Sequence, residues 1–228
     1  MMQGYKKLIA ITASLLFLNG CSNSDPEALI SEEDNTVELI FGEQEVSFTA
    51  EHYATMTQEA LNLFHEELPV YRDDQEQLER WFIRYYIQKH EYNESWSTDE
   101  MILLASERSK YETQWRNYAE ARYEITASEE AIEAQAEYNI ELYESSTPAS
   151  VQGMADGLNL TIEEFFKEFD KDHVERTVIW EQLFPILQQE YADEENKDTV
   201  SVARRYSEEV IHSIQSNGPD FHSIPFAE

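Results

Sequence analysis

The side chains that most often carry catalysis are few and scattered in this chain. Its six histidines stand apart at His52, His65, His90, His173, His212 and His222. The run His65-Glu66-Glu67-Leu68-Pro69 starts like a zinc-protease helix, but a proline occupies the position that the second histidine ligand requires. The six glycines are isolated, which excludes a phosphate-binding glycine loop and a nucleophile elbow. The residue types therefore predict no catalytic site, no metal site and no cofactor.

Cys21 is the one thiol of the chain, and the residues before it follow the pattern of an export signal. Lys6 and Lys7 give a basic start, and residues 8–18 form an apolar core that is short for a membrane span. The closing Leu18-Asn19-Gly20-Cys21 resembles the lipobox of bacterial lipoproteins, whose cysteine accepts a thioether-linked diacylglycerol. This resemblance implies lipidation of Cys21 and a lipid-anchored position on the extracytoplasmic side of the cell membrane. The alternative is a secretory peptide with an incidental cysteine.

The charge of the chain excludes several classes of partner. The chain has 16 basic and 47 acidic side chains, and two of the basic ones lie in the signal, which leaves a formal charge of −33 after residue 20. Such a surface repels phosphate, so neither nucleic acid nor anionic lipid is expected as a partner. Membrane attachment then depends on acyl chains, each buried methylene contributing about 0.8 kcal/mol.

The order of polar and apolar residues predicts a mainly α protein with one small β element. A β-hairpin is predicted at 37–48, because apolar residues alternate there on both sides of Gly42. Helical periodicity follows for the rest of the domain. The predicted regions are a signal peptide at 1–20, an acidic tether at 21–35, a helical domain at 36–217 and a tail at 218–228.

Seven helices are predicted in this domain, most of them from capping residues. Thr49 is expected to cap the first, with Phe48 and Tyr53 at the spacing of a hydrophobic staple. Pro185 is expected to kink or break the sixth helix near residue 181. The first predicted helix starts at Thr49, the second spans 74–92, and the third starts at Ser97 with Glu100 as a capping box. The fourth starts in the stretch 126–129, the fifth at Thr147-Pro148, and the sixth at Thr161 with Glu164 as a capping box. The last spans 199–216.

The aromatic content indicates a possible binding surface. The chain has thirteen tyrosines, eleven phenylalanines and four tryptophans, and a cleft lined by such rings would hold apolar segments of another protein. Rings at helical spacing mostly belong to a core. Tyr86 and Phe166 stand beside the main apolar stripes and are the candidates for exposure. The pattern does not identify which residues would contact a client.

Three stretches follow one another in the predicted domain: residues 41–48 followed by Tyr53, residues 124–132 and residues 157–166. In this order they resemble the N-terminal domain of the SurA/PrsA-type peptidyl-prolyl isomerases and folding chaperones. They are similar to the "NGE.IT…F", "GI.VSDEEV" and "GLT.EEF" steps of that domain, and together the resemblance covers about 36–190. Glu124 stands where the family has the glycine of its second step.

This resemblance implies a chaperone domain that binds exported or unfolded polypeptides. Only 41 residues follow Leu187, too few for the parvulin domain that carries isomerase activity in the family, so no enzyme activity is expected. The leading hypothesis is a membrane-anchored lipoprotein that binds such segments without catalysis. The alternative is an interaction lipoprotein of the envelope, sporulation or germination machinery with one specific partner. A hydrolase with an unrecognised acidic site ranks third.

We expect Cys21→Ala to abolish lipid attachment, because the thiol is the acceptor atom that the lipobox resemblance implies. Mass spectrometry of the wild-type N-terminus should show a diacylglycerol on Cys21, and membrane fractionation should follow its loss in the variant. Ser22→Ala, one residue later, is the matched control and should remain anchored. An unmodified cysteine in the wild-type protein would contradict the lipoprotein prediction.

Overall fold

The computed structural model describes residues 36–41, 44–68, 75–143, 146–191 and 198–217. The signal peptide, Cys21, the tether and the tail lie outside these ranges, so what was predicted for them stays a prediction. Within these ranges the fold is mainly helical, as predicted. Its elements are β1 (Thr36–Phe41), β2 (Gln44–Thr49), α1 (Ala50–Glu67), α2 (Gln75–Glu91), α3 (Thr98–Tyr123), α4 (Glu129–Tyr143), α5 (Ala149–Leu158), α6 (Ile162–Glu164), a π-helix (Phe165–Phe169), α7 (Lys171–Glu190) and α8 (Thr199–Asn217).

The hairpin leads into α1 through the predicted cap. Strands β1 and β2 pair antiparallel, with Thr36 opposite Thr49. Thr49 Oγ1 accepts a hydrogen bond from the His52 backbone N–H at 3.3 Å, and His52 Nδ1 accepts one from the Thr49 N–H at 3.2 Å. The rings of Phe48 and Tyr53 lie 5.9 Å apart, so the hydrophobic staple is confirmed.

Helices α1 and α5 pack unusually close because two glycines remove the side chains between them. A Cβ atom on Gly153 would lie 2.3 Å from the Ala50 carbonyl oxygen, and one on Gly157 would lie 2.6 Å from Thr57 Cβ. Neither position has room for a side chain, so the two helix backbones are in direct contact.

Two of the helix starts lie later than the first residue predicted for them. Helix α4 begins at Glu129, the last residue of the predicted stretch 126–129, and Ser128 Oγ accepts a hydrogen bond from the Ala131 backbone N–H at 3.2 Å. In α5 the proline of Thr147-Pro148 occupies the cap position itself. The Thr147 hydroxyl donates to the carbonyl oxygen of Tyr143 at 3.0 Å, so it closes the end of α4 instead of opening α5. The capping boxes at Ser97 and Thr161 are confirmed.

Of the kink or break predicted near residue 181, the break does not occur. Helix α7 continues through Pro185 to Glu190, and the chain bends instead at Asp170, directly after the π-helix. Both Glu181 and Pro185 are exposed, so water can bind the carbonyl oxygen that the missing proline N–H leaves without its helical partner. The proline therefore does not end the helix.

The buried side chains form two hydrophobic clusters that α3 and α7 connect. The first cluster combines α1, α2, α4, α5, the π-helix and the first parts of α3 and α7, where Met101 and Val174 lie. The second combines α8 with the later parts of α3 and α7, where Trp115 and Leu183 lie. Helix α3 has 26 residues and is about 39 Å long, enough to cross both clusters.

A set of buried ion pairs fastens α2 to the bend before α7. The Arg84 guanidinium donates two hydrogen bonds to the Asp172 carboxylate, at 2.7 and 2.8 Å, and one to Asp170 at 3.0 Å. A longer bond of 3.4 Å reaches the carbonyl oxygen of Phe169. Burial alone would raise the pKa of Asp172, but the guanidinium holds it well below its ordinary value. Both partners are nearly inaccessible to water.

The ionic set continues into α3 and reaches the second cluster. Both Arg84 and Arg108 lie over the Trp81 ring, at 4.6 and 4.8 Å from its centroid. Glu112 is buried on α3 and pairs with Arg108 at 2.7 Å and with Arg176 of α7. Burial opposes ionisation of Glu112, yet these arginines lower the pKa of its carboxyl below the ordinary value. The charges are therefore paired where α3 and α7 pass from one cluster to the other.

We expect Asp172→Asn and Arg84→Met each to lower the free energy of unfolding by about 3 kcal/mol, because each leaves a buried charge without its main partner. The combined Arg84→Met/Asp172→Leu protein should recover much of that loss. The control, Arg204→Met, breaks an exposed pair with Glu208 and should cost about 0.5 kcal/mol or less. Urea unfolding followed by circular dichroism measures all four proteins.

The same pair predicts an acid dependence. Because the folded pKa of Asp172 is depressed, its contribution is complete above the unfolded value of about 3.9 and is lost as pH falls through the folded value. The wild type should therefore lose stability on acidification more steeply than Asp172→Asn. Equal slopes for the two proteins would contradict this assignment.

The half-buried carboxyl of Glu91 has a pKa shift of the opposite sign. The Tyr53 hydroxyl donates to Glu91 Oε1 at 2.6 Å, and burial raises the pKa of Glu91 above its ordinary value. Its favourable contribution is therefore present below the ordinary pKa and is lost as pH rises through the folded one. Glu91→Gln keeps an acceptor and removes an anion from the last turn of α2. We expect Glu91→Gln to raise the free energy of unfolding by about 0.5 kcal/mol at pH 7 and to leave it unchanged at pH 4. Thermal unfolding at the two pH values measures this difference. A lower melting temperature at pH 7 would contradict this.

Candidate functional site

Helix α4 is apolar on two nearly opposite faces. Its inner face, with Ile132 and Ala136, is buried against α7 and the π-helix. An α-helix turns about 100° per residue, so Tyr138 and Leu142 point away from that packing. A helix that is apolar on both sides normally has neighbours on both sides. In the described part of the chain, α4 has packed neighbours on one side only.

The outer apolar residues of α4 form a continuous stripe. Ala131, Ala134, Tyr138 and Leu142, which we call the outer strip, follow the i, i+3, i+7, i+11 spacing of an interface helix. Tyr138 is 58 % exposed and Leu142 is 54 % exposed, large fractions for apolar side chains of this size. The strip extends for about 16 Å along three turns of the helix.

The two flanks of the outer strip differ in charge. One flank is acidic: each member of the outer strip is preceded by an exposed glutamate with the same spacing. We call these glutamates the acidic ridge; they are Glu130, Glu133, Glu137 and Glu141. On the other side the flank is neutral, and Gln135 Nε2 donates to Asn139 Oδ1 at 2.9 Å. Helix α4 contains five glutamates and no lysine or arginine. The exposed side of α4 is thus apolar in the middle, anionic on one edge and amide-lined on the other.

Beyond the acidic ridge lies a shallow groove between α4 and the bend before α7. Its volume is about 250 Å³, and charged side chains of both banks line it above a floor of Ile132, Ala136 and Phe166. Lys171 pairs with Glu129 at 3.1 Å across this groove. The pKa of Lys167 is raised by its hydrogen bond to Glu163 and also by the charges of Glu133 and Glu137. Because the floor side chains are buried, the groove offers charge more than apolar contact.

The structure corrects one of the two candidates for aromatic exposure. Phe166 is only 4 % exposed and stacks on Tyr143, with ring centroids 5.7 Å apart and an interplanar angle of 10°. Tyr86 is half-buried, and its hydroxyl donates to Glu59 at 3.0 Å. Within the described ranges, Tyr138 is the one aromatic ring among the large exposed apolar side chains. The sequence signal that could have found it is the second apolar series on α4, half a turn away from Ile132 and Ala136.

The titratable side chains that the structure describes show no convergent arrangement for catalysis. His65 contacts Glu79 at 2.7 Å, and His173 contacts Asp170 at 2.9 Å, on separate elements. Among the residues that the structure describes, no group of three or more histidine, cysteine, aspartate or glutamate side chains is placed to hold a metal ion. In the same residues, no helix combines the length and the apolar character needed to cross a bilayer.

Comparison with models of protein families, with curated protein sequences and with solved structures finds no match for this chain. The resemblance of residues 36–190 to the SurA/PrsA N-terminal domain therefore stays a prediction from its motifs.

Proposed function

We propose that this protein is a membrane-anchored, extracytoplasmic lipoprotein that binds exported or unfolded polypeptide segments without catalysis. The observation that supports binding is the outer strip, an exposed apolar stripe on a helix whose opposite face is already packed. The lipobox-like sequence that ends at Cys21 supports the anchor and the side of the membrane. The motifs shared with the SurA/PrsA N-terminal domain support polypeptides as the ligand class.

The size of the outer strip suits reversible binding. Full burial of a leucine or aromatic side chain contributes about 1.5–3 kcal/mol, and roughly half of each of Tyr138 and Leu142 remains to be covered. A total of about 2 kcal/mol from these two side chains must be supplemented by other contacts before a complex becomes long-lived. A protein that releases its clients needs binding of this kind.

A second function is favoured by the different flanks of the outer strip. A surface with an anionic edge and a neutral edge distinguishes the two orientations of a partner, and such orientation is typical of specific recognition. This observation favours an interaction lipoprotein of the envelope, sporulation or germination machinery with one fixed partner. The two functions differ in the number of ligands, which an experiment can count.

We expect the mature protein to slow aggregation of an unfolded exported protein, and Tyr138→Ser/Leu142→Ser to lose most of this effect because the apolar contact is removed. The matched control is Leu103→Ser/Val200→Ser, which changes two side chains that are 57 % and 52 % exposed on other helices. Light scattering during dilution from denaturant measures the effect for each protein. The wild type should not accelerate prolyl isomerisation of a model peptide.

Three results would contradict the leading proposal. Equal activity of the strip variant and the control would show that the outer strip is not the binding surface. Failure to slow aggregation of several clients, together with capture of one stoichiometric partner, would establish the fixed-partner function instead. Measurable prolyl isomerase activity would contradict binding without catalysis.

A further inference from the structure

The backbone of α4 restricts the conformation of whatever covers the outer strip. An extended segment that binds by adding a strand obtains its main-chain hydrogen bonds from a sheet edge. The middle of a helix surface offers no such groups, because its N–H and C=O groups are bonded to each other. A segment buried on the outer strip must satisfy its own backbone groups, and an α-helix does so. A helix is therefore the conformation that this surface favours for its ligand.

The acidic ridge determines the charge of that helix. Glu130, Glu133, Glu137 and Glu141 follow the outer strip along its whole length, and in the part of the chain that the structure describes none of them belongs to a salt bridge. An acidic or neutral helix would leave these carboxylates crowded beside its polar edge. Lysine and arginine side chains at the matching positions would pair with them across the contact. The net charge of −33 after residue 20 adds long-range attraction for such a ligand.

From these two constraints we infer that the outer strip and the acidic ridge of α4 dock a cationic amphipathic helix. Its apolar stripe covers Tyr138 and Leu142, its basic edge faces the acidic ridge, and its uncharged polar edge faces Gln135 and Asn139. This inference rests on the proposed binding function and specifies which segments are bound. It concerns the class of ligand and not the identity of a client.

The length of the outer strip defines a minimal ligand. A strip of about 16 Å matches about eleven residues of helix, or three turns. Helices of this length are marginal when isolated in water, so an unfolded segment with the right pattern gains its helix on docking. Segments of the same pattern also bind anionic lipid surfaces. The acidic ridge thus competes with the membrane for the same class of segment.

Fluorescence anisotropy with three labelled peptides of fourteen residues tests the inference. The first peptide is a cationic amphipathic helix, the second has the same composition with its apolar periodicity scrambled, and the third is amphipathic with glutamate in place of lysine. The protein is the whole mature chain in nanodiscs of a zwitterionic lipid, and empty nanodiscs provide the background. We expect the first peptide to bind at least about tenfold more tightly than either of the others, because only it satisfies both the strip and the ridge.

Variants then assign this binding to α4. Glu133→Gln/Glu137→Gln/Glu141→Gln should weaken binding of the first peptide about tenfold, the effect of three exposed charge pairs, and should flatten its salt dependence. The control Glu66→Gln/Glu67→Gln/Glu120→Gln removes the same charge from exposed positions on α1 and α3 and should bind nearly as the wild type does. Circular dichroism verifies that each variant remains folded.

The outcomes separate this inference from the proposed function. If all three peptides bind equally or none binds, the cationic-helix inference is overturned, whether or not the strip variant loses its anti-aggregation effect. If ridge and control variants behave alike, the inference is overturned as well. If the first peptide binds selectively through the ridge while the protein fails to slow aggregation, the inference stands and the general client-binding function fails.

Discussion

The paired charge of Arg84 and Asp172 is the constraint on which the remaining architecture depends. A guanidinium that donates to two aspartates and to a backbone carbonyl must lie at one place relative to the bend at Asp170. That bend directs the π-helix so that Phe166 stacks on Tyr143 of α4. The inner face of α4 is thereby occupied, and its outer face is turned to solvent. An interaction in the interior thus decides which side of α4 is exposed.

Buried ion pairs of this kind contribute little net stability, because desolvation offsets much of their attraction. Here they lie where α3 and α7 cross from one hydrophobic cluster to the other. Apolar contacts are less directional than charge-assisted hydrogen bonds, so they specify the register of a helix less strictly. A shift would separate Glu112 from Arg108 and Arg176. The charges therefore select one register for the long helices.

Local sequence determined the parts of the fold whose cause lies within about four residues. Thr49, Ser97 and Thr161 each cap a helix through a partner three positions later, so their patterns could be interpreted without knowing the fold. The behaviour of Pro185 depends on which face of α7 meets water, and the bend at Asp170 depends on Arg84, 86 residues away in sequence. Identifying the outer strip as exposed required the same knowledge of tertiary packing. Both apolar series of α4 are visible in the sequence, but only packing shows which one is covered.

The inward placement of Arg84, Arg108 and Arg176 also affects how copies of the protein behave toward one another. These three cations neutralise three acids, Asp170, Asp172 and Glu112, so the exterior keeps the full net negative charge with fewer basic side chains. Two molecules that approach with their outer strips facing each other bring two rows of glutamate together. Like-charge repulsion of this kind opposes dimerisation through the strip. The protein can keep an adhesive apolar surface open to solvent while remaining colloidally stable.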